Sequence, residues 1–198
     1  MSTLVNRPAP DFKATAVMPD GNFKDIKLSD YRGKYVVLFF YPLDFTFVCP
    51  SEIIAHDHRI KDFESRNVQV IGVSIDSHFS HFAWRSTPVD KGGIGPVQFP
   101  LLADVNHEIT RAYGIEHQDS VAFRATFLID KAGVVQHAQV NNLPLGRNVD
   151  EAIRLVDALQ FTEQNGEVCP AGWKKGDTGM KPTTQGVADY LAKNAGKL

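Results

Sequence analysis

The chain has 198 residues, of which 43% are hydrophobic, 22% charged and 10% aromatic, the proportions of a globular protein able to bury a core. Lys+Arg 21 against Asp+Glu 23 leaves a formal charge of −2, without the basic footprint of a nucleic-acid binder. The longest apolar run, Tyr35 to Tyr41, is too short to span a bilayer, and Met1 to Pro8 shows no charged segment leading into an apolar one, so a cytoplasmic protein is expected.

Pro8-Ala9-Pro10-Asp11-Phe12 reads as extended chain, because proline excludes helix from the residue before it. Pro19-Asp20-Gly21-Asn22 predicts the tip of a hairpin. Tyr35-Val36-Val37-Leu38-Phe39-Phe40-Tyr41 is continuous, β-branched and aromatic, the pattern of a strand buried on both faces. A loop, Pro42 to Val48, leads into Cys49-Pro50-Ser51-Glu52. Pro50 suits a first helical turn, and Ile53, Ile60 and Phe63 recur at helical spacing, so one helix is predicted from about Pro50 to Arg66. Val68 to Ile75 predicts a strand, Ser77 to Ser86 a helix, and Thr87 to Gln98 a loop. A strand around Leu101-Leu102 and a helix around His107 to Tyr113 follow. Ala125 to Asp130 and Val134 to Val140 flank Lys131-Ala132-Gly133 as an antiparallel hairpin. Asn148 with Glu151 resembles a capping box, and Ala152, Ile153, Val156 and Leu159 continue a helix. Beyond Gly166 the chain is rich in Gly, Pro and Lys up to Pro182, and Val187 with Leu191 suggests a short amphipathic helix. Strands alternating with helices predict an α/β layered sheet, of undetermined strand order. Residues 1–165 are expected to form the domain and 166–198 a C-terminal arm.

The two cysteines, Cys49 and Cys169, form neither a C-x-x-C motif nor a four-ligand zinc set. Cys49 sits where a buried strand gives way to a helix. The unpaired N–H groups and positive dipole end there favour an anion, and a thiol so placed is activated. An inert buried thiol is equally consistent with that position. Thr46, three residues earlier, either turns its hydroxyl toward the sulfur or closes a local turn. His56-Asp57-His58, placed on a polar helix face, and His78 with His81 lack further ligands at a suitable spacing, so no metal is expected. Gly92-Gly93-Ile94-Gly95 matches no phosphate loop and reads as a flexible loop.

Pro42-x-x-x-Thr46-x-x-Cys49 resembles the peroxidatic signature of the peroxiredoxins. The longer Asp44-Phe45-Thr46-Phe47-Val48-Cys49-Pro50 is similar to the typical two-cysteine branch, which includes the peroxidase subunit of bacterial alkyl hydroperoxide reductase. The resemblance runs the length of the chain, through Ala9-Pro10-Asp11-Phe12, Gly92 to Gly95, Phe123 to Asp130, Gly146-Arg147 and Gly166 to Trp173. It implies a thioredoxin-like fold, a central mixed β-sheet flanked by helices, with the C-terminal arm carrying a resolving cysteine. It implies that Cys49 is the peroxidatic cysteine and Cys169 of a partner chain the resolving one. Thr46 and Arg124 would bond the thiolate and the peroxide oxygens, Pro42 would shield the pocket, and Glu52 and Arg147 would orient Arg124. The Gly92–Gly95 segment would pack over the arm. Phe45, Phe79, Ser80 and Trp84 fall where the family places a ring interface.

The resemblance further implies a homodimer that assembles into a decamer, a pentamer of dimers, with thioredoxin or a dedicated flavoprotein as reductant and no cofactor. Where family members prone to overoxidation often carry Tyr-Phe near the end, this chain has Tyr190-Leu191. Two other classes compete with a peroxidase: a ring-forming chaperone relying on surface aromatics such as Phe45, Phe79 and Trp84, and an interaction module with a structural disulfide. Catalytic consumption of peroxide separates the first from the others.

Overall fold

The computed structural model describes residues 3–118 and 120–198, without the side chain of Lys197. Met1 and Ser2, part of the stretch read for a leader, lie outside them. The chain forms two compact units, one ending at Val149 and one beginning at Asp150. The long helix that follows Val149 falls in the second of these units.

The first unit is built on a seven-stranded mixed sheet. β1 (Lys13–Val17) and β2 (Phe23–Lys27) form the expected hairpin, with Val17 opposite Phe23. Its tip closes as Asp20 accepts the Asn22 N–H at 2.9 Å, with Gly21 at φ 85°, the left-handed region open to glycine. β3 (Tyr35–Phe40), β4 (Val68–Ser74), β5 (Leu101–Ala103), β6 (Arg124–Ile129) and β7 (Val135–Asn141) follow, in the sheet order β2-β1-β5-β4-β3-β6-β7. β3 and β4 are parallel, as are β4 and β5, whereas β6 runs antiparallel to β3 and β7 to β6. All six residues of β3 are buried, as its unbroken apolar run demands.

Side chains alternate across a strand, so β3 feeds two apolar layers. Val36, Leu38 and Phe40 join Ile71, Val73, Phe127 and Ile129 in one cluster, closed by Ile109 and Tyr113 of and beside α4 (Glu108–Ala112). Phe39 points the other way, against His56 and Phe99. Gly72 stands opposite Phe39 in the ladder, and a Cβ there would lie 2.9 Å from the Phe39 ring. Only glycine leaves that ring its place.

The single helix expected over 50–66 is two, α1 (Cys49–His58) and α2 (Ile60–Glu64). The break is at Arg59 (φ −103°, ψ 7°), whose N–H bonds His56 O, three residues back, at 3.1 Å. α3 (His78–Ser86) begins at Ser77, whose hydroxyl accepts the Ser80 N–H at 3.2 Å. The Gly92–Gly95 stretch, expected as a flexible loop, is hydrogen-bonded to its neighbours. Gly93 N–H bonds Pro88 O at 3.0 Å, Ile94 N–H bonds Trp84 O at 3.3 Å, and the Trp84 indole donates to Gly92 O at 2.8 Å. Trp84, placed among the surface aromatics from sequence, is therefore buried. The second unit holds α5 (Val149–Asn165), which opens at its border, and α6 (Thr184–Asn194).

Candidate active site

The sheet register assembles the site. β3 ends at Phe40, whose neighbour across the ladder is Ala125, so Arg124 at the start of β6 lies beside the loop that leaves β3. Arg124 in turn faces Asn141 at the end of β7, and the chain returns from there through 142–146 to Arg147. Residues separated by 72 to 95 positions thus meet around the first turn of α1.

Cys49 is the first residue of α1 and is wholly buried. Its Sγ lies 2.9 Å from Thr46 Oγ1 and 3.3 Å from Arg124 Nη1. Thr46 Oγ1 is also 2.8 Å from Leu43 O. One hydroxyl hydrogen cannot serve both acceptors. Beside a thiolate it points to sulfur, and beside a thiol it points to Leu43 O while the S–H donates to the hydroxyl oxygen. Both sequence readings of Thr46, local turn and sulfur partner, are thus present in one geometry.

Glu52, buried one turn on, joins the two arginines. Arg124 Nη1 reaches Glu52 Oε2 at 2.9 Å and Arg124 Nε donates to Leu143 O at 2.6 Å. Arg147 grips the same carboxylate through Nε and its backbone N–H to Oε1, at 2.8 and 2.9 Å, and through Nη2 to Oε2 at 2.9 Å. Burial pushes the Glu52 carboxyl upward, but the Arg147 hydrogen bonds and charge, with Arg124, outweigh it and hold its pKa below the usual carboxylate value. Two guanidiniums on one carboxylate leave a net positive charge beside the sulfur. Pro42, directly after Tyr41, is buried at the start of the loop.

Residues 5–138 match the AhpC/TSA family, and residues 158–193 match the C-terminal domain of 1-Cys peroxiredoxin. Peroxiredoxin-1 of Gallus gallus is 55% identical over 191 residues, 96% of either chain. Alkyl hydroperoxide reductase C of Helicobacter pylori (strain J99) is 57% identical over 197 residues, 98% of this chain and all of that one. The chain belongs to the AhpC/TSA family of peroxiredoxins. The reduced 2-Cys peroxiredoxin of Plasmodium vivax superposes with a TM-score of 0.95 at 52% identity, over 96% of this chain and 100% of that one. This peroxiredoxin has the thioredoxin-like fold of its relatives, and it is a thiol peroxidase.

Beneath the site lies a residue that the sequence reading misplaced. His56, assigned to a polar helix face, is buried and stacks on Phe39, ring centroids 4.1 Å apart and planes 5° off parallel. Cys49, Glu52, Ile53 and His56 follow the i, i+3, i+4, i+7 spacing of one helix face, which is the signal that places His56 inward. Its Nδ1 lies 2.7 Å from Glu52 O, and a carbonyl only accepts, so Nδ1 carries the hydrogen. Burial, then the charge of Arg147, lowers its pKa to about 4, and the ring is neutral near pH 7. Arg147 lies over the same Phe39 ring, 5.5 Å from its centroid.

A second buried network holds the loop of this peroxiredoxin. Asp44 accepts from Tyr41 OH at 2.9 Å and faces His81 Nδ1 at 2.8 Å, while its N–H donates to Asp76 Oδ2 at 2.9 Å. His81 Nε2 donates to Leu102 O at 3.2 Å. Burial, and then the Asp44 charge, raises the Asp76 pKa. Both histidines singled out from sequence as half of a metal pair are thus committed to the core, and among the described residues no three His, Cys, Asp or Glu side chains cluster as metal ligands.

Cys169 lies in the second unit, half-buried, and both cysteines are free. Its Sγ is 3.5 Å from Ala158 O, on α5. The arm beside it is pinned to the same helix. Arg154 forks onto Glu151 at 2.6 and 2.7 Å and donates to Trp173 O at 2.8 Å, and the Trp173 and Phe161 rings lie 4.8 Å apart.

Proposed function

We propose that Cys49 is the peroxidatic cysteine of this thiol peroxidase, acting on hydrogen peroxide and organic hydroperoxides. The observation that carries the reading is the buried Cys49 Sγ held between Thr46 Oγ1 and Arg124 Nη1. The thiolate attacks one peroxide oxygen and the O–O bond breaks. The other oxygen leaves with the electron pair and takes a proton to become water or an alcohol, and the sulfur becomes a sulfenic acid. Charge grows on the leaving oxygen, and fixed donors aimed at such charge lower the barrier. Arg124 supplies those donors in a rigid fork, which Leu143 O and Glu52 keep in register. Arg147 anchors Glu52, and Pro42 covers the pocket.

On the same reading residues 1–165 form the peroxidase domain and 166–198 the arm. Cys169 of a partner copy attacks the sulfenic sulfur, releasing water and forming an intermolecular disulfide. A thioredoxin-type or flavoprotein dithiol then reduces it by exchange. Dimers assemble as a pentamer into a decamer. The exposure of Phe79 and of Phe45 supports a ring contact through these side chains, since exposed apolar surface marks protein interfaces.

Peroxide consumption, measured with thioredoxin and its reductase and separately with a flavoprotein reductase, tests the assignment. Cys49→Ser is expected to abolish turnover with both. Residual turnover above about one percent of wild type would overturn it, since loss of a nucleophile costs orders of magnitude.

A further inference from the structure

His56 takes no part in the chemistry proposed for Cys49, yet it touches the joint that holds Arg124 in place. It lies one turn beyond Glu52 on α1, 1% exposed. Its Nδ1–H donates to Glu52 O at 2.7 Å, which ties the ring to the backbone of the residue whose carboxylate joins both arginines. Its face lies on Phe39, and Phe63 continues the pile, 6.2 Å from His56 and 13° off parallel. Phe99 meets both Phe39 and His56 edge to face. The Phe39 ring, fixed in this way, carries the Arg147 guanidinium, within the ~6 Å at which a cation is attracted to an aromatic face.

A proton on His56 would change this corner. Beyond burial, the charged groups that act on the ring are Arg147, which opposes the proton, and Glu52, which favours it. Phe39 from β3, Phe63 from α2 and Phe99 ahead of β5 bring it no charge. Such coupling is reciprocal: as Arg147 disfavours the proton, the proton disfavours Arg147 in its seat. Arg147 Nη1 also donates to Ala125 O at 2.6 Å and lies 3.3 Å from Thr126 Oγ1. A displaced Arg147 therefore gives up the start of β6, next to Arg124, as well as Glu52.

We propose that His56 is a positioning residue of the peroxide reaction: its neutral ring holds Phe39 and so seats Arg147, which keeps Glu52 and Arg124 in register with the Cys49 sulfur, and a proton on that ring unseats them. This rests on the reading that Cys49 is the peroxidatic cysteine. Acid then slows the peroxide step twice, once by protonating the thiolate and once through His56. Only the second effect is removed by changing residue 56.

All proteins for the test carry Cys169→Ser, so that Cys49 is the sole thiol. The rate of reaction with hydrogen peroxide, by rapid mixing, is divided at each pH by the rate of alkylation with iodoacetamide. Alkylation needs the thiolate but no donor to a leaving oxygen, so the quotient reads the placement of Arg124. His56→Phe keeps a ring on Phe39, His56→Asn keeps a donor, and neither takes a proton. At pH 7 the quotient is expected to be lower in the asparagine variant than in the phenylalanine variant by about threefold or more, because small misplacements of a catalytic group are costly. Equal quotients would overturn the proposal. With the His56 pKa at about 4, the quotient in the protein that retains His56 is expected to fall about twofold between pH 7 and pH 4, and to stay level in both variants. A level quotient with His56 present, or the same fall without it, would also overturn the proposal. If Cys49 is alkylated but forms no sulfenic acid with peroxide, it is the peroxidatic reading that fails, and the proposal falls with it.

Discussion

Arg147 holds Glu52 by main chain and side chain at once: its backbone N–H and Nε converge on Oε1 at 2.9 and 2.8 Å, and Nη2 closes on Oε2 at 2.9 Å. The carboxylate is thereby fixed from a loop 95 positions away, with Oε2 still open to Arg124. The orientation of the guanidinium beside Cys49 is set through this joint rather than by Arg124 alone.

Glu52→Gln keeps the volume and removes the charge, leaving two buried guanidiniums without a counter-ion. Breaking such a buried pair costs about 3–5 kcal/mol. Urea unfolding is expected to show a loss of that order, and the second-order rate with hydrogen peroxide to fall at least tenfold as Arg124 loses its register. A variant as stable and as fast as wild type would show the joint to be dispensable.

Arg124→Ala removes the guanidinium that stands 3.3 Å from the sulfur and is expected to slow the peroxide step by roughly 10²–10³, by analogy with the loss of an oxyanion-hole donor. Arg124→Lys restores the charge but not the fork that reaches Leu143 O, Glu52 and Cys49 together. It is expected to recover only a small part of the rate. Rapid mixing with peroxide, before any reductant acts, checks both, and full recovery by lysine would show that charge alone suffices.

His56 makes the fold sensitive to acid. Its pKa is about 4 in the folded chain against an ordinary 6.5, so between these values the unfolded chain binds the proton and the folded one does not. Stability is then at its plateau above about pH 6.5 and declines as pH falls toward 4, by about 3 kcal/mol over the window. Glu52, with its lowered pKa, adds its own loss only as pH drops below the ordinary carboxylate value. The expected slope of loss from pH 6.5 to 5 is that of His56, opposed toward the lower end by Asp76, whose raised pKa makes the folded chain take up a proton before the unfolded one. His56→Phe keeps a ring on Phe39 and is expected to flatten that slope in urea titrations at stepped pH. An unchanged slope would place the acid sensitivity elsewhere.

Cys169 is expected to bond Cys49 of a second chain. Oxidised wild type should run as a covalent dimer on a non-reducing gel, and either Cys→Ser variant as a monomer. Cys169→Ser should react once with peroxide and then drift from sulfenic toward sulfinic acid. A monomeric oxidised wild type, with the disulfide mapped inside one chain, would replace the two-chain step with an internal one.

Local chemistry was legible from the sequence. The apolar run at Tyr35–Tyr41 marked the central strand, Pro19-Asp20-Gly21-Asn22 marked the hairpin tip, and the strand-to-helix junction singled out Cys49, because each depends on near neighbours and on a period of two or 3.6. His56 belonged to that class as well, through its spacing from Cys49, Glu52 and Ile53. Its polarity drew it to the surface in the reading, whereas the helix period buries it. The break at Arg59 was not legible, and neither was the left-handed turn at Phe45, whose loop is held by the distant partners Asp76, His81 and Trp84. Nor could spacing bring Glu52, Arg124 and Arg147 together; family resemblance alone named them. Their meeting was decided by the order β4-β3-β6-β7, which sets Arg124 beside the Cys49 loop and turns the chain back to Arg147. Strand order depends on which surfaces pack, and no window along the chain contains that choice.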